Sequence, residues 1–80
     1  MDKLLEKTRA LSALERRKLA KEGIYLASIK TGQMEEAIYK VLDMVFKEKD
    51  IEGLLLDQEV ELFNAIHDKT YNVSKEEAGN

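Results

Sequence analysis

Between Gln33 and Lys49 the residues Met34, Ala37, Ile38, Val41, Leu42, Val45 and Phe46 recur at the i, i+3, i+4, i+7 spacing that places side chains on one face of an α-helix. On a helical wheel this arc, widened by Tyr39 and Met44, covers well over half the circumference. It leaves Glu36, Lys40, Asp43 and Lys47 as a narrow polar stripe. A helix with so wide an apolar arc belongs at the centre of a packed domain. The stripe alternates in sign at i, i+4 spacing, the pattern of a solvated face supported by ion pairs worth a few tenths of a kcal/mol each.

Proline is absent and leucine, lysine, glutamate and alanine dominate, so the expected class is all-α: a small bundle of three to four helices. Leu4, Leu5 and Leu11 mark a short first helix. Ser12, with Glu15 three positions on, forms a capping box for a second helix expected to reach about Lys30, where Thr31-Gly32 ends it. A fourth helix is expected over much of Ile51 to Thr70, with Asp50 and Asp57 as alternative caps. The expected organisation is one helical domain over residues 1–70 and a polar, frayed segment over 71–80. At 80 residues the core is small and has no cysteine to staple it. The second helix has a face of Ala20, Gly23, Ile24 and Ala27 and a nearly opposite one of Leu19, Leu26 and Ile29. With the very wide face of the third helix this is an excess that homodimerisation, or a docked partner, is expected to cover, and a dimer is the expected state.

Charge is distributed unevenly. Residues 1–31 carry eight basic against four acidic side chains, a balance of +4, whereas residues 32–80 carry five against twelve, a balance of −7. The basic third is expected to bind a partner through Arg9, Arg16, Arg17, Lys18 and Lys21, because guanidinium forks match carboxylates and phosphates. An acidic protein surface is the favoured partner. Nucleic acid is the less favoured one, since no aromatic residues interleave with the basic cluster for base stacking.

The stretch "SIKTGQMEEAIYKVL", residues 28–42, has the helix end, glycine turn and helix start of a DNA-reading helix-turn-helix. Glu35 and Glu36 fall in the turn of helix that such a motif presents to base edges, where phosphates repel them. Ala27 also precedes Gly32 by five positions, where the common bacterial spacing has four.

Enzyme chemistry is not expected. His67 is the only histidine, with Phe63 and Asn64 at the helical positions where a metal pair needs ligands. Ser12, Ser28 and Ser74 have no local base. Asp57, Glu59 and Glu61 lack the apolar setting that raises a carboxyl pKa. Gly53 stands fourth from Asp50 where a calcium loop needs glycine sixth. No cofactor and no metal are therefore expected. No run is apolar enough for a signal peptide or membrane span, so cytoplasm is the expected setting, for a bacterial or phage protein.

The opening "LLEKTRALSAL" resembles the start of the CodY family of nutrient-sensing repressors over 11 of 80 residues. No function is carried over from that resemblance. The leading expectation is a small non-enzymatic regulatory or adaptor protein acting through helix faces and its basic third. A dimeric helix-turn-helix regulator is the alternative.

Overall fold

The structure, a computed structural model, describes residues 2–79, with side chains described through Tyr71. It is all-α, with no strand among the described residues. Five helices follow in order: α1 over Asp2–Glu6, α2 over Ala13–Lys21, α3 over Met34–Val45, α4 over Glu48–Ile51 and α5 over Leu56–Gly79. Two of them, α1 and α4, amount to about one turn each. Of the polar segment expected to fray, 71–80, the backbone continues α5 to Gly79, and the side chains beyond Tyr71 lie outside the described residues.

The core forms where α3 crosses α5. Ala37, Ile38, Val41 and Leu42 of α3 are buried with Leu62, Phe63 and Ile66 of α5, and Leu11, Leu19, Ile24, Leu26 and Phe46 close the cluster. The wide apolar arc of α3 is sealed only along its middle, however. Met34 and Tyr39 remain 43% and 45% exposed, because α5 covers one flank of α3 and none of the described residues covers theirs.

The capping box at the start of α2 is present as expected: the Glu15 N–H donates to Ser12 Oγ and the Ser12 N–H donates to Glu15 Oε1. The end of α2 is not where periodicity put it. The helix stops at Lys21 because Gly23 adopts φ +83°, the left-handed conformation that glycine enters without steric cost. The Gly23 N–H donates to the Ala20 carbonyl at 2.9 Å and the Ile24 N–H to the Leu19 carbonyl at 3.0 Å, the two bonds of a Schellman motif. Ile24 and Leu19, which flank that motif, are both buried. Gly23 therefore ends the helix and is not part of a continuous helical face.

Two further corrections apply to the helix ends. Phe46 leaves α3 in an extended conformation (φ −121°, ψ 158°), which carries its ring into the core, so α3 is shorter than the expected span to Lys49. The expected fourth helix is split at Glu52–Leu55. Its longer part, α5, begins with a half capping box in which the Leu55 N–H donates to Gln58 Oε1 at 2.9 Å. Neither proposed aspartate is the cap: Asp50 lies inside α4, and Asp57 sits in the first turn of α5, where its side chain accepts from the Gln58 N–H.

The N-terminal segment is fastened to α5 by polar contacts. Thr8, buried and 6% exposed, donates to the Leu5 carbonyl and accepts from Lys69 Nζ at 2.7 Å, and Lys69 also donates to the Thr8 carbonyl at 2.8 Å. Thr70 Oγ1 accepts from the Leu11 N–H at 3.0 Å and donates to the Ile66 carbonyl. These bonds leave no buried side-chain polar atom unpaired among the described residues.

Candidate functional site

Of the five basic residues singled out in the sequence, the structure gathers four. Arg16, Arg17, Lys18 and Lys21 all lie exposed on α2, held there by the capping box at one end and the Schellman turn at the other. Among the described residues none of them makes a side-chain hydrogen bond or ion pair, so their charges face solvent uncompensated.

Arg9 stands apart. Its Nη1 and Nη2 donate to the two carboxylate oxygens of Glu15 at 2.8 and 2.9 Å, a bidentate fork, and Nη2 also donates to the Met44 carbonyl at 3.0 Å. Met44 belongs to the last turn of α3, whose carbonyls have no partner within the helix. Arg9 therefore ties the α1–α2 connection to the end of α3. Hydrogen bonds from this guanidinium lower the Glu15 carboxyl from its ordinary 4.5 to about 2.

A folded-state value below the unfolded one means that the pair's contribution is complete above the ordinary carboxylate range and disappears as pH falls from about 4.5 to about 2. Nearly half of the Arg9 side chain is exposed, so screening reduces that contribution to the order of 1–2 kcal/mol. Denaturant titrations should show Glu15→Gln less stable than wild type at neutral pH, with the gap closing as pH is lowered. A constant gap from pH 7 to pH 2.5 would remove the ion pair from the account.

Beside the α2 cations lies an open groove of about 400 Å³. Arg16 and Arg17 form its polar wall, and Ala13 and Ala20, whose short side chains give it depth, form the helix side. Gly23 turns the chain so that Ile24, Leu26 and Ala27 form the floor, and Tyr25 and Tyr71 border it. The segment is held by His67: its Nε2 lies 3.0 Å from the Leu26 carbonyl. A carbonyl only accepts, so Nε2 carries the proton. The His67 ring in turn lies against Tyr71, with centroids 4.8 Å apart, and against Phe63 at 6.2 Å.

Sequence reasoning identified Arg16 and Arg17 but missed Tyr25, Tyr71 and the positioning role of His67. The i, i+4, i+8 spacing of Phe63, His67 and Tyr71 was the available sign of an aromatic ladder on α5. Chemically the groove offers two planar guanidiniums with five donors each beside an apolar floor, an arrangement suited to a carboxylate carried next to an apolar side chain. Among the described residues no three metal-ligating side chains gather, and no helix is long and apolar enough to cross a membrane.

The stretch "SIKTGQMEEAIYKVL" takes a different shape from the one its residues propose. From Glu22 to Gln33 the chain runs through two short 3₁₀ turns, Leu26–Ser28 and Thr31–Gln33, separated by extended Ile29 and Lys30. No helix ends at Lys30, and α2 and α3 are not joined by a tight turn. On the outer side of α3, Tyr39 donates to Glu35, and Lys40 lies between Glu22 at 2.5 Å and Glu36 at 3.2 Å. The Glu22 and Glu36 carboxylates raise the Lys40 pKa, so this cation is already engaged within the chain.

Compared with known protein families, with curated proteins and with solved structures, the chain matches none.

Proposed function

We propose that this protein is a small non-enzymatic regulatory or adaptor protein of the cytoplasm that binds another protein through the α2 groove. The carrying observation is the pair Arg16 and Arg17, exposed and unpartnered among the described residues, on the wall of an apolar-floored groove bordered by Tyr25 and Tyr71. Arginine and tyrosine beside a recessed apolar floor are the residue types that dominate binding energy in protein interfaces. The matching partner presents a carboxylate flanking an aliphatic or aromatic side chain. His67 and Gly23 support the reading because they fix the floor segment before any partner arrives, which lowers the ordering cost of association.

The test is a charge reversal. Arg16→Glu with Arg17→Glu should leave circular dichroism and melting unchanged, since exposed charges contribute little to stability, yet weaken capture of the dominant partner by more than about tenfold. Capture is compared with and without nuclease. Partner binding that ignores the reversal, or a fraction that vanishes with nuclease, would overturn the reading. So would one genomic sequence retained at physiological salt and lost on Lys40→Ala, which would restore the DNA-binding alternative.

A further inference from the structure

The outermost face of α2 is not the one that lines the groove. Leu19 points into the core at 1% exposure, and the direction opposite to it on the helix is occupied by Leu14, Arg17 and Lys21, with Lys18 alongside. Leu14 is 63% exposed, a large apolar side chain standing in solvent amid three cations.

A second groove, of about 430 Å³, opens where α3, α4 and the start of α5 meet. Its apolar surface comes from Tyr39, Leu42, Ile51 and Leu54, and its rim carries Asp43, Glu48, Glu52 and Glu59 with no basic residue. Among the described residues none of these four carboxylates makes an ion pair. Beside the Tyr25–Tyr71 groove, the described residues thus form two further unpartnered surfaces that have no residue in common with each other. One is a helix face of a leucine among cations, and the other is a recess of mixed lining, apolar at Tyr39, Leu42, Ile51 and Leu54 and rimmed by carboxylates.

We propose that the occupant of the acidic groove is the α2 face of a second copy, with Leu14 meeting the apolar side chains at its base and Arg17, Lys18 and Lys21 meeting Asp43, Glu48, Glu52 and Glu59. The two surfaces are complementary in shape and in sign: a helix face with one projecting apolar side chain fits a recess, and three cations meet four carboxylates. Because the two surfaces differ, the contact is heterologous. Each added copy presents a fresh face and a fresh groove, so association continues beyond a pair or closes into a ring. The attraction is between exposed charges and weakens as salt rises. This proposal does not rest on the partner groove bordered by Tyr25 and Tyr71, with which it shares only Arg17.

The experiment is sedimentation velocity of the full chain over a concentration and salt series, with two variants that leave Arg16 and Arg17 intact. One carries Leu14→Glu with Lys18→Glu; the other carries Asp43→Asn, Glu48→Gln and Glu52→Gln. All five side chains are exposed, and circular dichroism checks that both variants keep the fold. Wild type should grow past two chains at low salt and dissociate as salt rises. Each variant alone should associate more than about tenfold more weakly. Mixed in equal amounts, the two should form a single pair of twice the 9.2 kDa chain mass and stop there, since only one intact face and one intact groove remain. A wild type that stays monomeric, or associates more tightly with added salt, would overturn the proposal. So would a variant that associates alone as wild type does, or a mixture that stays monomeric.

Discussion

Val41→Asp is expected to abolish the cooperative fold. Val41 is fully buried on α3, between Ile38 and Leu42 and within the cluster that includes Leu62 and Ile66 of α5. A carboxylate there meets only apolar neighbours, so it either remains charged without a partner or takes up a proton at the cost of a strongly raised pKa. Either course costs several kcal/mol, to which the lost methyl packing adds. A domain of this size has of the order of 4–12 kcal/mol in total. Far-ultraviolet circular dichroism should lose its helical signal and its sigmoidal melt. A variant that keeps wild-type ellipticity and melting temperature would show that the middle of α3 is not the core.

Ile66→Ala carries the second largest expected effect and probes the same contact from the α5 side. Ile66 is fully buried and has no slack around it, since Leu62 and Phe63 lie one turn before it and the neighbouring helix supplies Ala37, Ile38 and Val41. Removing three carbons leaves a cavity that rigid helices fill poorly, which costs about 2–5 kcal/mol. For a domain of this length each kcal/mol lowers the melting temperature by roughly 4–8 °C, so a fall of at least 10 °C is expected. The helical signal should survive at low temperature, in contrast to Val41→Asp, because no charge is buried. A shift of only a degree or two would mean that α5 is held chiefly by its polar ties to Thr8 and Leu11.

The α3 wheel located the core correctly in Ala37, Ile38, Val41 and Leu42, yet it also enrolled Met34 and Tyr39, which stand in solvent. Periodicity reports which side chains share a face. It does not report how much of that face a neighbour covers. On α2 the same reasoning misled more seriously, because Ala20, Gly23, Ile24 and Ala27 keep helical spacing through a place where the helix has already stopped. Leu19, Ile24 and Leu26, placed on opposed faces of a continuous helix, all enter one core once Gly23 reverses the chain. The surplus apolar face that predicted dimerisation through the second helix is largely consumed in that way. Leu14, on the face where cations stand, and Tyr25 remain outside, as do Met34 and Tyr39 of α3 and Leu55 and Leu56 at the start of α5.

The candidate site divides along the same line. Arg16, Arg17, Lys18 and Lys21 were legible as a cluster because one short helix carries them, and the capping box that starts it is a signal spanning four residues. Arg9 reads as a fifth member in sequence and is none in space, since its guanidinium reaches a carbonyl 35 positions away at Met44. The His67 contact with the Leu26 carbonyl spans 41 positions, and the Lys69 bonds to Thr8 span 61. Caps, periodicity and charge clusters act over a turn or two of helix, so the sequence by itself determined the class, the centre of the core and the basic helix. The end of α2 is itself a local event at Gly23, but the groove beside it and the employment of Arg9 depend on which distant backbone groups are left unsatisfied when α1, α3 and α5 pack. Only the tertiary structure decides that, because a helix end exposes its carbonyls to whichever donor the rest of the chain brings near.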